Sequence, residues 1–253
     1  MLRVQQAGPV LTITLDCPQR RNAQVPSLWS ALADVGGGLD PSVRVVVLRA
    51  KGPSFSAGLD RAMLTPAGVP GEPSVLALAA GAEGALEETI ASFQRGFAIW
   101  SQVPAITIAA VRGHAIGAGF QLALAADLRV VAHDVAFAMA ETGLGLVPDL
   151  GGTSPLVRCV GYGRALEICV TGRSVGAQEA VAIGLAAVAV PGEHLDTAAL
   201  ELADAILAAP SAAVRELKPL LRNAIDASAA DQLRAEREAQ ARLLRATVDP
   251  WGK

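Results

Sequence analysis

Gly113-His114-Ala115-Ile116-Gly117-Ala118-Gly119-Phe120-Gln121-Leu122-Ala123-Leu124-Ala125-Ala126-Asp127 is a glycine turn that runs directly into an apolar, alanine-rich helix. The first N–H groups of a helix have no partner within it, and the helix dipole places positive potential behind them. Such a joint suits a negative charge that develops on an oxygen. A second glycine turn, Pro53-Ser54-Phe55-Ser56-Ala57-Gly58-Leu59-Asp60, follows the β-branched run Val43 to Leu48. Two donor turns brought together make an oxyanion hole.

Around these turns strands and helices alternate. Val10 to Leu15, Val43 to Leu48, Ala105 to Val111 and Leu128 to Ala132 read as strands, whereas Met1 to Asp16 as a whole reads as a polar-flanked strand. Ser27 to Val35, Glu87 to Ser101 and Gly119 to Ala126 suit helices. That order predicts an α/β fold with a mostly parallel, buried sheet. Residues 65–88 differ, with Pro66, Pro70 and Pro73 among glycines, and read either as a lid over a pocket or as a surface insertion. Beyond Pro191 the pattern turns helical: Leu195 to Ala208, a break at Pro210-Ser211, and a charged amphipathic helix from Asp231 to Thr247.

Composition narrows the function classes. With 253 residues, 52% of them apolar, the chain can bury one core and carry a helical appendage. A net charge of −3 argues against a nucleic-acid surface. Cys17, Cys159 and Cys169 lack metal-like spacing and read as reduced thiols of a cytoplasmic protein. The start reads as no signal peptide, and Gln178 and Glu179 interrupt the alanine-rich Val175 to Val190, so no membrane span is expected. There is no G-x-S-x-G elbow, dinucleotide fingerprint, P-loop or metal-ligand cluster, and His114, His133 and His194 lack a nucleophile partner.

Four motifs in order resemble the crotonase, or enoyl-CoA hydratase/isomerase, family. They are the two glycine turns, Pro18-Gln19-Arg20-Arg21-Asn22-Ala23, and Gly143-Leu144-Gly145-Leu146-Val147-Pro148-Asp149-Leu150-Gly151-Gly152-Thr153 followed by Val160-Gly161 and Thr171-Gly172-Arg173. The resemblance implies a crotonase spiral of ββα units over residues 1–194 and a helical oligomerisation region over 195–253 that builds trimers or dimers of trimers. It also implies an acyl-CoA thioester as substrate, with no separate cofactor and no metal.

Carried over position by position, the oxyanion donors are the N–H groups of Leu59 and Ala118. Ala118 stands where the family most often has glycine, which its role tolerates if its φ is negative. The backbone around Ala23, Ala57 and Asp60 would cradle the adenine and pantetheine, and Gly58, Gly117 and Gln121 complete the expected substrate-binding set. Arg20 and Arg21 are candidates for the CoA phosphates or ribose and Arg61 for a phosphate, and each reads also as a solvated surface charge.

Proton chemistry is left to few groups. Hydratases of the family use two glutamates to hold water; the first falls on Gln121, whose amide cannot act as a base, and the second is retained as Glu141. Asp149 stands at a position where related dienoyl-CoA isomerases carry aspartate; it reads as a second acid or as a helix cap. One retained glutamate beside an oxyanion hole favours Δ3,Δ2-enoyl-CoA isomerisation, with Glu141, alone or helped by Asp149, carrying the proton. The alternatives are a hydratase in which Asp149 compensates for Gln121, and a non-catalytic acyl-CoA-binding or assembly protein.

Overall fold

The computed structural model of the protein describes residues 1–81 and 84–248. An antiparallel hairpin, β1 (Leu2–Ala7) and β2 (Val10–Leu15), turns at Gly8, whose φ is +55°. The polar N-terminal stretch read as one strand is therefore two. β1 gives a weak local signal because it is almost wholly exposed and its apolar alternation, Leu2 and Val4, stops at Gln5-Gln6. Helix α1 (Pro26–Gly37) leads to β3 (Val45–Ala50), which pairs parallel with β2. The run from Val43 enters the sheet two residues late, because the Val43 N–H closes a turn onto Asp40 O. Val45 to Leu48 are all buried, as expected of a strand covered on both faces.

The segment 65–81 holds a short helix α2 (Val75–Ala79), and within it the Glu72 carboxylate accepts from both the N–H and the hydroxyl of Ser27 at the start of α1. Residues 82 and 83 of the stretch expected as a lid or insertion lie outside the described residues. Helix α3 (Ala85–Gln102) packs on α1, where Trp29 meets the rings of Phe93 and Phe97 at 5.0 and 5.9 Å.

From α3 the chain repeats one pattern. A long strand in the main sheet hands over to a short one in a second sheet, and then to a helix. β4 (Ile106–Val111) leads to β5 (His114–Ile116) and α4 (Ala118–Ala125); β6 (Leu128–Ala132) leads to β7 (Ala136–Ala138), α5 (Thr153–Val160) and α6 (Tyr162–Thr171). After β8 (Val175–Gly176) and α7 (Ala177–Ala182), β9 (Val188–Val190) completes the main sheet in the order β1-β2-β3-β4-β6-β9. The second sheet runs β5-β7-β8, and Ser56 joins its edge by a parallel bridge to Ala115. These handovers are the ββα units of an α/β spiral.

Two fastenings fix α4. Arg129, only 6% exposed, donates to the carbonyls of Ala123 and Ala126 at the helix C-terminus and to Leu185 O. A cation there complements the dipole and satisfies orphan carbonyls. Asp127, just beyond, accepts from the N–H and hydroxyl of Thr107 at 2.8 Å each, holding the exit of α4 to β4. Beneath α4, the rings of Phe120 and Phe137 pack at 4.8 Å.

The chain divides into two compact units, Met1–Ala203 and Asp204–Lys253. Helix α8 (Leu195–Ala208) reaches the division. In the second unit, α9 (Ser211–Asn223) pairs with α10 (Ala229–Val248), and Arg242 grips the Glu216 carboxylate with two hydrogen bonds of 2.9 and 2.7 Å. Residues 249–253 of the expected oligomerisation region lie outside the described residues. Among the described residues no single helix is long and apolar enough to cross a membrane.

Candidate active site

The two glycine turns meet because backbone pairing draws them together. The Ser56 N–H donates to His114 O at 2.9 Å, and the Ile116 N–H donates to Ser56 O at 3.0 Å. On its other side the first turn is locked to the loop before α1: the Gln24 N–H donates to Gly58 O, and the Asp60 N–H to Gln24 O. The Leu59 N–H therefore points away from the Gln24 side. A Cβ placed on Gly58 would lie 3.5 Å from Ala118 N, which measures how closely the turns approach.

Ala118 is the first residue of α4, and Gly117 before it takes the positive φ of +51°. The local strain thus falls on glycine, and Ala118 needs no left-handed backbone. Among the described residues neither the Leu59 nor the Ala118 N–H donates to a protein acceptor. The N-terminus of α4 adds its dipole to that pair of donors.

Glu141 opens a short 3-10 helix, Glu141–Leu144, that follows β7 and is held to α6 by the Thr142 hydroxyl donating to Cys169 O at 2.7 Å. Its carboxylate lies over Gly117: a Cβ on that glycine would come 3.2 Å from Oε1. The base candidate therefore sits beside the residue that precedes the second oxyanion donor. Oε1 accepts a 2.7 Å hydrogen bond from Gln121 Nε2. Oε2 is buried and is the one buried side-chain oxygen or nitrogen without a hydrogen-bond partner among the described residues.

Burial raises the Glu141 carboxyl above the ordinary carboxylate range; its own backbone N–H and the Gln121 amide pull it down, and the nearby Asp149 charge pushes it further up. Burial also raises Asp149, which is half-buried. Asp149 is not the cap of α5, since Gly152 occupies the N-cap. The main-chain carbonyl of Asp149 is fixed instead by Gln94 Nε2 from α3, at 2.7 Å.

A profile of the family described as enoyl-CoA hydratase/isomerase matches residues 5–249. The chain belongs to the enoyl-CoA hydratase/isomerase family. It is thus an enzyme of the crotonase fold, a hydratase or an isomerase. A Thermobifida fusca YX protein provisionally described as an enoyl-CoA hydratase, solved in complex with CoA, is 44% identical, covering 98% of this chain and 94% of its own, with a TM-score of 0.93. The carnitinyl-CoA dehydratase of Salmonella enteritidis PT4 is 34% identical over 87% of this chain and 80% of its own length. The mycobacterial protein named probable enoyl-CoA hydratase echA8 is 30% identical over 92% and 86% respectively.

Against this family frame the remaining expected residues divide. Ala23, Ala57, Gly58 and Asp60 come together, with the Ala57 N–H donating to Arg21 O at 2.9 Å. Arg20 is exposed and paired: its guanidinium donates to Asp60 Oδ2 at 2.8 Å, linking the two loops at the surface. Asp60 Oδ1 in turn accepts from the Ala62 N–H. Arg21 and Arg61 are exposed. Gln121, expected to touch substrate, is 1% exposed and turned inward.

Three further residues, Asn22, Gln24 and Ser56, support the site. Gln24 is fully buried, and its amide accepts from Trp29 Nε1 at 2.7 Å and donates to Ser56 Oγ at 3.0 Å. Ser56 Oγ donates to Asn22 O and accepts from the Gly58 N–H, while Asn22 holds Lys51 O and Ser54 O. This network aims the first donor turn. Its available signal was a polar Asn22 and Gln24 just before the apolar start of α1.

Proposed function

We propose that the protein is a Δ3,Δ2-enoyl-CoA isomerase acting on an acyl-CoA thioester without added water. The observation that supports it most is the unpartnered, buried Glu141 Oε2 of a carboxylate that lies over Gly117, the residue before the Ala118 donor, with an amide where a second acid would be needed to hold a water. Glu141 takes the C2 proton of a 3-enoyl-CoA, and the electrons move onto the thioester oxygen. The Leu59 and Ala118 N–H groups hold the resulting dienolate. Protonation at C4 from Glu141, or from Asp149 with the proton on Glu141 then passing to Asp149 through solvent to reset both groups, gives the 2-enoyl-CoA. The relatives solved with CoA, and in another crystal with acetoacetyl-CoA, support a CoA thioester as the ligand. Incubation with a 3-enoyl-CoA is expected to give a product of unchanged mass. A product heavier by one water contradicts the reading.

The hydratase alternative turns on residue 121. In Gln121→Glu, one carboxylate oxygen would keep the two backbone N–H donors of Leu150 and Gly152, and the other would face Glu141. Two acids could then share a proton or a water, and hydration of 2-enoyl-CoA is expected to appear or rise. A folded, CoA-binding variant with no gain would move the decision to Asp149.

The three free cysteines suit a reducing compartment, and we assign the protein to the cytoplasm. The region 195–253 is assigned to assembly, because Leu217 and Leu221, one turn apart on α9, are 50% and 64% exposed. Light scattering is expected to give a homotrimer or a dimer of trimers. A monomer at working concentration contradicts this assignment.

A further inference from the structure

The buried amide of Gln121 makes three hydrogen bonds with one orientation. Oε1 accepts from the Leu150 N–H at 2.8 Å and the Gly152 N–H at 3.2 Å, so that atom is a carbonyl and Nε2 is the nitrogen that donates to Glu141 Oε1 at 2.7 Å. The amide cannot flip without setting an NH2 against two N–H donors. The loop 149–152 is shaped for it: a Cβ on Gly152 would lie 2.6 Å from Gln121 Cγ and 3.1 Å from Oε1. Gly152 has ordinary helical backbone angles, so its missing side chain serves this contact and not a turn.

We infer that Gln121 is a positioning residue for Glu141, one that ties down Oε1 and leaves Oε2 as the single atom that exchanges protons with the substrate. The inference rests on the isomerase reading and adds how one carboxylate is aimed. A carboxylate free to rotate offers either oxygen in many directions, whereas one held at Oε1 presents Oε2 along one line. The clamp also occupies the place from which a second acid would hold water. The first-turn residues of α4 therefore do two tasks: Ala118 supplies an oxyanion donor, and Gln121, one turn on, aims the base.

Two substitutions release the clamp from opposite sides. Gln121→Met keeps the volume and removes the donor. Gly152→Ala leaves Gln121 in the chain and displaces its side chain, so it remains informative if Gln121→Met folds poorly. Because a hydrogen bond to the ionised form favours that form, either release should move Glu141 titration to higher pH. The full-length protein with 13C at its glutamate carboxyls gives that titration by NMR without any substrate, the Glu141 signal being assigned by its loss in Glu141→Gln. Both variants are expected to titrate higher than wild type, and the acidic limb of kcat/KM on 3-enoyl-CoA to move the same way. Turnover should fall by about tenfold to a hundredfold with KM less changed. A Glu141 midpoint unchanged in a folded variant of either kind overturns the clamp. Wild-type protein that isomerises no 3-enoyl-CoA overturns the functional reading instead, and the titration still decides whether Gln121 holds Glu141.

Discussion

Glu141→Gln is expected to lower turnover on 3-enoyl-CoA by about two orders of magnitude or more while leaving CoA-thioester affinity within about a few-fold of wild type. The change removes the proton carrier whose carboxylate lies over Gly117, and it spares the Leu59 and Ala118 donors. It also keeps an oxygen for the Gln121 amide to donate to. Steady-state rates together with calorimetric binding of a saturated acyl-CoA separate the two effects. Wild-type turnover in this variant removes Glu141 from the mechanism.

The same substitution has an opposite effect on stability. Burial raises the folded-state pKa of Glu141, so its protonated form is favoured on folding. Its stabilising contribution is complete below the unfolded-state pKa and is lost as pH rises through the raised folded value. Glutamine imitates the protonated form at every pH. Glu141→Gln should therefore unfold at a higher temperature than wild type at neutral pH, and the difference should close as pH falls below the ordinary glutamate range. Activity of the wild type runs the other way, rising with pH as Glu141 ionises. A variant less stable than wild type at neutral pH contradicts the burial argument.

Ala118→Pro tests the oxyanion hole. Proline fits the first position of a helix, where no intrahelical hydrogen bond is lost, and Ala118 is that position of α4. The fold is thus expected to survive, and scattering and circular dichroism check that it does. What disappears is one N–H, and the ring carbon that replaces it intrudes where the thioester oxygen would dock. One such donor is typically worth roughly 3 kcal/mol in the transition state, so turnover should fall by about two orders of magnitude or more. A folded, assembled variant with near-normal turnover refutes the role given to this turn.

The sequence disclosed those parts of the fold whose signals are local. Val10–Leu15 and Leu128–Ala132 form strands with the expected bounds, because β-branched runs largely buried in the main sheet leave little choice of element. β5, β7 and β8 are two or three residues long, too short for any period, and exist only through pairing with distant strands. The donor turns could be read from Gly58 and Gly117, but their meeting depends on Ser56 bonding to His114 and Ile116, some sixty residues away. Glu141 stood out as an acid in an apolar run. Nothing local showed that its Oε2 lacks a partner, that Gln121 faces inward, or that Arg20 is held by Asp60, since each depends on contacts distant in sequence.

Isomerisation and hydration are distinguished by kcat/KM of the purified wild-type protein on matched 3-enoyl-CoA and 2-enoyl-CoA substrates, with double-bond migration and water addition followed separately. Efficient conversion of 3-enoyl-CoA to 2-enoyl-CoA, with hydration of 2-enoyl-CoA slower by about two orders of magnitude or more, is the predicted result. Hydration of 2-enoyl-CoA that outpaces isomerisation would contradict it, and would assign the work of the missing glutamate to Asp149.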